Sequence, residues 1–205
     1  MLHLNTLKKN SLSGINYYLL KLNKMNYIVI DLEATCTDGK EKIRNEIIEI
    51  GAVKIDKNLN IIEEFQRFVK PVENPLLTEF CKDLTKIKQI DVDNAENFGV
   101  VCAEFIKFIG EGYTLCSWGF YDKSQLTKDC ILHGMSYDWC EEHISLKHQH
   151  GSMFKLGKGV GVQKALRMEG LRFEGTHHRG IDDAKNIAKI FIAHYEKWNF
   201  KKRMV

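Results

Sequence analysis

The stretch Tyr27-Ile28-Val29-Ile30-Asp31-Leu32-Glu33-Ala34-Thr35-Cys36 decides how the rest of the chain is read. Four of its first five residues are β-branched or aromatic, the composition of a strand. Side chains alternate across a strand, so Ile28, Ile30 and Leu32 share one face and Asp31 and Glu33 share the other. Two carboxylates on one face of an apolar strand are costly to bury unless a cation compensates them. Hard oxygen ligands at that spacing suit magnesium or manganese. A strand end emerging into water would carry the same acids without any cation, so the reading turns on the acids further down the chain.

Before this strand, Lys8 and Lys9 precede a mostly apolar run over 15–20, interrupted by Asn16 and closed by Lys21 and Lys24. The run is too short for a signal-peptide core and lacks a cleavage site. Met25 stands just ahead of the strand. Residues 1–24 are therefore expected to be a tail, disordered or upstream of the true start, with one domain over 25–200 and a short basic tail over 201–205.

After the strand, Asp38-Gly39 marks a turn. Strands are expected over 47–55 and 61–69, joined by a hairpin-length turn, and Pro71 ends the second. A short helix and loop occupy 74–90. Over 95–109, Phe98, Val101, Cys102, Phe105, Ile106 and Ile109 fall on one helical stripe, and Gly110 and Gly112 end it. A fourth strand is expected over 113–118, a helix from Asp122 to about 133, a short fifth strand over 143–146 and a helix over 160–168. The last helix spans about 181–198, with Ile181, Ala184, Ile187, Ala188, Phe191, Ile192 and Tyr195 on its buried side. Strands in hairpin succession followed by alternating helices and strands indicate an α/β domain with a mixed five-stranded sheet flanked by helices. Four glycines and two lysines over 151–161 fit neither phosphate-binding loop pattern and read as a flexible segment.

At 205 residues and a formal net charge of +3, the chain suits one domain, and its charge permits nucleic-acid binding without indicating it. The six cysteines form no C-x-x-C pair, so their spacing gives no zinc site; they read as reduced thiols of a cytoplasmic protein. No apolar run reaches the roughly 20 residues needed to span a bilayer.

Asp122 follows the fourth strand, where Gly119 helps the chain turn. The run Thr176-His177-His178-Arg179-Gly180-Ile181-Asp182-Asp183 opens the last helix. Positions four and seven on from Asp183 are Ile187 and Ile190, at the buried edge, whereas Asp182 leads to Lys185 and Asn186 on the polar side. Asp183 is thus the inward acid and Asp182 a solvent or capping residue. A histidine just before this helix, with a pKa near neutrality, is a natural general base. Four carboxylates from these places can hold two divalent ions about 3.5–4 Å apart, an arrangement suited to in-line displacement at phosphorus.

These residues resemble a known family, the DEDD exonucleases, in the subgroup whose last motif carries a histidine. The phrases 31–36, Ile47-Ile48-Glu49-Ile50-Gly51-Ala52-Val53, Ser117-Trp118-Gly119-Phe120-Tyr121-Asp122 and His178-Arg179-Gly180-Ile181-Asp182-Asp183 look most like the 3′-to-5′ exoribonucleases that trim histone-mRNA ends and small RNAs, and their bacterial relatives. The similarity runs from Tyr27 to about Trp198. It implies an RNase H-like fold, Asp31, Glu33, Asp122 and Asp183 as ligands of two Mg²⁺ or Mn²⁺ ions, and His178 as general base. His178 is preferred to His177 because the family places its base five residues before the last aspartate. The resemblance also implies a backbone grip on the terminal nucleotide at Glu33 and Ala34, and base stacking by Phe80 and Tyr121; Phe65 and Phe68 are alternatives to Phe80. Tyr121 departs from the Trp or Met often found there. The expected activity is release of nucleoside 5′-monophosphates from single-stranded 3′ ends, RNA before DNA. The alternatives are a DNA proofreading or repair exonuclease, and a non-catalytic module binding RNA ends or a protein, whose mark would be a broken acid set.

Overall fold

A computed structural model describes residues 26–200; the expected tails lie outside them. Five strands form one sheet in the order β3-β2-β1-β4-β5: β1 (Asn26–Ala34), β2 (Ile47–Ile55), β3 (Ile61–Phe68), β4 (Tyr113–Ser117) and β5 (His143–Ser145). The first three are antiparallel, and β4 and β5 run parallel to β1, so the sheet is mixed. The helices are α1 (Glu79–Thr85), α2 (Gln89–Asp93), α3 (Phe98–Ile109), α4 (Tyr121–Leu132), α5 (Leu146–Met153), α6 (Val162–Met168) and α7 (Gly180–Ala193).

The central strand is buried on both faces, as a near-continuous apolar run requires. Ile28, Ile30 and Leu32 pack with Phe98, Val101, Cys102 and Phe105 of α3 and Leu126 and Cys130 of α4. Tyr27 and Val29 pack on the other face with Leu146 of α5, Ala165 and Leu166 of α6, and Ile187, Ala188 and Phe191 of α7. Asp31 and Glu33 continue this second face beyond the point where apolar side chains cover it. Because β1 and β4 are parallel, the end of β1 and the start of α4 emerge at the same rim of the sheet, where open α/β sheets place their ligands.

Two glycines bring the last helix down onto that rim. A Cβ at Gly51, the β2 partner of Asp31, would lie 2.0 Å from the Gly180 carbonyl carbon. One at Gly180 would lie 2.9 Å from the Asp31 carbonyl oxygen. Only a pair without side chains lets the first turn of α7 sit directly on β1 and β2.

The expected elements are present with shifted ends. The helix over 181–198 stops at Ala193, and a single 3-10 turn, Tyr195–Lys197, carries the chain on. The segment 74–90 contains α1 and the start of a second helix, α2. Helix α5 has no counterpart in the sequence reading: Leu-Lys-His-Gln-His-Gly-Ser-Met has little apolar periodicity, and its helix rests on burial of Leu146, His150 and Gly151. The segment expected to be flexible therefore begins inside a helix. A Cβ at Gly151 would come within 3.0 Å of the Gly159 backbone, so these glycines serve a close backbone approach. Asn186, expected on the polar side of the last helix, is fully buried, because loop 172–176 folds over it: its amide donates to the Glu174 and Asp182 carbonyls, and its carbonyl oxygen accepts from Glu174 N–H.

Candidate active site

Asp31, Glu33 and Asp183 each place a carboxylate oxygen within 4.8 Å of the other two. Glu33 and Asp183 are buried and Asp31 is partly exposed at the rim. A β-bulge between Glu33 and Ala34 leaves Ile48 as the extra residue on β2. Bulges re-aim side chains, and this one stands where the acidic face must turn towards α7. Asp122, buried in the first turn of α4, lies alongside: its Oδ1 accepts from Leu32 N–H at 3.2 Å, and it is the carboxylate that most strongly repels Asp31. The four acids expected from the sequence are thus brought together, three with converging oxygens and the fourth fastened to the backbone between Asp31 and Glu33.

The charges are in conflict. Burial, then the neighbouring Asp122, Asp183, Glu33 and Glu49, hold Asp31 well above the usual carboxylate range. Burial, then Asp183, Glu49 and Asp122, push Glu33 up to about 8. Burial pushes Asp122 up to about 6 and also raises Asp183. Carboxylates that cannot all ionise together in one pocket form a site that a hard divalent cation relieves, and the all-oxygen donor set fits one.

The two aspartates of α7 divide as their helical positions indicate. Asp182 accepts from Thr176 N–H at 2.8 Å, against Gly175, whose φ of +88° and missing Cβ leave room for the carboxylate. Asp183 accepts from His178 N–H at 2.7 Å and points into the acidic cluster. His178 itself has a left-handed backbone, φ +63°, a conformation uncommon for a residue with a side chain. Burial, then His177, lowers its pKa, which keeps the ring neutral. The adjacent ring of His177 packs against it at 3.9 Å between centroids, with Nε2 at 3.8 Å from Asp183 Oδ1. Asp183 is therefore reached by the backbone of His178 and by the side chain of His177.

Sequence reasoning assigned no role to Glu49 and Arg179. Glu49, fully buried on β2, stands directly across from Glu33. Arg179 donates to it from Nε at 3.1 Å and from a terminal guanidinium nitrogen at 3.3 Å; Gly180 N–H and the Gln66 amide complete its partners. This pair ties the histidine loop and the start of α7 to the sheet. An acid inside an apolar strand, facing a second acid across the ladder, was the available signal, since like charges there need a cation.

The expected base-stacking residues are both exposed: Phe80 on α1 and Tyr121 at the start of α4. Phe65 is in the core, and Phe68 is partly buried beneath the Arg179 guanidinium, so Phe80 is the one left open to solvent. Helix α1 is fastened to the end of β1, with Thr78 donating to Cys36 O at 2.7 Å and the Cys81 thiol facing Ala34 O at 3.7 Å. Ala34 is buried at the bulge.

Comparison with known proteins places this arrangement. The nuclease domain of 3′hExo, a DEDDh family member solved bound to rAMP, superposes with a TM-score of 0.78 at 29% identity, over 84% of this chain and 92% of that one. The "3′-5′ exoribonuclease 1" of Mus musculus is 32% identical over 197 residues, 90% of this chain and 55% of the mouse protein, so the chain spans about half of that relative. "Probable 3′-5′ exonuclease KapD" of Bacillus subtilis is 33% identical over 173 residues, covering 80% of this chain and 82% of KapD. The fold is the RNase H-like fold of these nucleases. Residues 28–191 match the family described as Exonuclease (RNase_T), and with the acidic cluster set on that fold the chain belongs to the exonuclease family.

Proposed function

We propose that the chain is a metal-dependent 3′-to-5′ exonuclease that releases nucleoside 5′-monophosphates from single-stranded RNA. The observation that carries this is the convergence of Asp31, Glu33 and Asp183, with Asp122 alongside and the His178 loop bound to the same Asp183. Two Mg²⁺ ions, or Mn²⁺, would supply charge neutralisation at the scissile phosphate and activation of water. The four carboxylates would hold them. His178, kept neutral by its surroundings, takes the proton of the attacking water on a ring nitrogen. Glu33 and Ala34 present the strand end to the terminal nucleotide, and Phe80 and Tyr121 offer ring faces to bases. Placement on RNA follows the names of the relatives, and a DNA-directed repair enzyme is the sister reading. A non-catalytic module is disfavoured because the acid set is intact. The six free thiols support a reducing compartment such as the cytoplasm.

End-labelled RNA and DNA of one sequence, incubated with magnesium and then manganese, test this. Stepwise shortening from the 3′ end, faster on RNA, and no attack on circular RNA are expected. Cleavage of circles at the linear rate would overturn the exonuclease reading, and a preference for DNA would overturn the RNA assignment.

A further inference from the structure

Helix α7 delivers Asp183 at one end, and at the other, roughly 16 Å along its axis, a second set of ligand-type side chains converges. His150 of α5, Glu169 just past α6 and His194 just past α7 each place a ligand atom within 4.8 Å of the other two. His150 is fully buried and His194 nearly so. Glu169 Oε1 lies 3.3 Å from His150 Nε2 and 2.9 Å from His194 Nε2. In a tetrahedral zinc site with bonds of 2.0–2.1 Å, ligand atoms stand about 3.3 Å apart, so these contacts have the span of such a site.

Hydrogen bonding accounts for only part of the cluster. His150 Nε2 and Glu169 share a hydrogen bond, and His194 Nε2 stands 2.9 Å from the same carboxylate in a poorly directed contact. Its N–H would point off the line to the oxygen. A divalent cation bound there would take a lone pair from each ring and from the carboxylate at once. The surroundings favour one. Helices α6 and α7 both end here, and helix C-termini carry partial negative charge. Trp118 and Phe154 wall off His150, and Phe154 and Trp198 wall off His194, which lowers the local dielectric. Burial lowers the pKa of His150 and keeps it in the neutral form that binds metal. The Glu169 side chain retains 15% exposure, which leaves an entry route. Lys197, whose ammonium is 3.4 Å from His194 Nδ1, is exposed and can swing out when that nitrogen carries the proton.

We propose that His150, Glu169 and His194 form a second metal site, separate from the acidic centre, for an imidazole-preferring divalent cation of the zinc class with water as the remaining ligand. Two nitrogens and one oxygen select zinc or cobalt over magnesium, whereas the all-oxygen centre selects the reverse. The ion would fasten the ends of α6 and α7 to α5.

Cobalt(II) is the probe, because low-symmetry sites give it visible d–d bands. The full chain carrying Glu33→Gln and Asp183→Asn, which disable the acidic centre, is titrated with Co²⁺. One equivalent should develop the bands and Zn²⁺ should abolish them. Adding Glu169→Gln, which keeps hydrogen-bonding capacity, should weaken Co²⁺ binding about 100-fold or more, and His194→Gln should do the same. In the same Glu33→Gln, Asp183→Asn background, micromolar Zn²⁺ should raise the melting temperature, and adding Glu169→Gln with native circular dichroism should lose that response. Absence of bands, or bands unchanged in folded Glu169→Gln protein, would overturn the proposal and leave a hydrogen-bonded His–Glu–His cluster; if His194→Gln does not fold, Glu169→Gln decides alone.

Discussion

Glu33→Gln should stabilise the metal-free protein while it destroys activity. Glu33 is 7% exposed, and burial followed by Asp183, Glu49 and Asp122 raises its pKa from 4.5 to about 8. At ~1.4 kcal/mol per unit, that shift corresponds to a ceiling of about 5 kcal/mol of disfavoured charge. The repulsion is shared with three other acids and relaxed by water at the rim, so a realised gain of ~1–3 kcal/mol is expected, or roughly 3–10 °C in a domain of this size. The sign follows from linkage. A carboxyl whose folded pKa is raised contributes stability below its unfolded pKa and loses it as pH rises through the folded value. The window here is pH 4.5 to about 8. In chelator, wild-type protein should therefore melt at falling temperature between pH 5 and pH 8. Glu33→Gln should flatten that slope, and its advantage should widen towards pH 8. Saturating Mg²⁺ should close the gap by stabilising the wild type more. Thermal melts across this pH range, with and without chelator, give the result. A variant less stable than wild type at pH 8 in chelator, or an advantage independent of pH, would refute the view of Glu33 as a strained ligand.

Asp31→Asn, Asp122→Asn and Asp183→Asn should each nearly abolish nucleotide release with native circular dichroism, whereas Asp182→Asn, which keeps an amide oxygen to accept from Thr176 N–H, should be much milder; equal loss at both α7 positions would refute their division. His178→Ala should lower turnover by about 10²–10⁴-fold with little change in the metal concentration for half-maximal activity. His177→Ala should retain activity, and the reverse outcome would give the proton-accepting role to the ring nearer Asp183. The wild-type rate should rise with pH to a plateau reached at lower pH than an unperturbed imidazole would give, since burial shifts His178 down, and that limb should change only in the His178 variant. Glu49→Gln leaves the half-buried Arg179 guanidinium against a neutral partner; a stability loss of about 1–3 kcal/mol by denaturant titration, with activity lowered through the loosened histidine loop, is expected, and a neutral effect on both would refute the tether.

The parts legible in the sequence were those set by short-range periodicity. Alternation along 27–33 placed Asp31 and Glu33 on one face of a strand, and the 3.6-residue repeat of α7 separated Asp183 from Asp182. The ends of α7 and the existence of α5 were not legible, because local pattern there is weak and tertiary burial decides. Asn186 looked polar and exposed on its helix, yet the loop that buries it is remote in pattern.

Periodicity within single elements determined that Asp31 and Glu33 share a strand face and which of two adjacent aspartates faces inward, whereas the four-carboxylate ligand set and His178 rested on the family resemblance. Only the tertiary structure decided that Glu49 and Arg179 pair beneath the histidine loop, that Gly51 and Gly180 let α7 rest on β1, and that His150, Glu169 and His194 meet. The Glu49–Arg179 contact joins residues 130 positions apart. A side chain's partner across such a distance is set by how the elements pack, which no local spacing records.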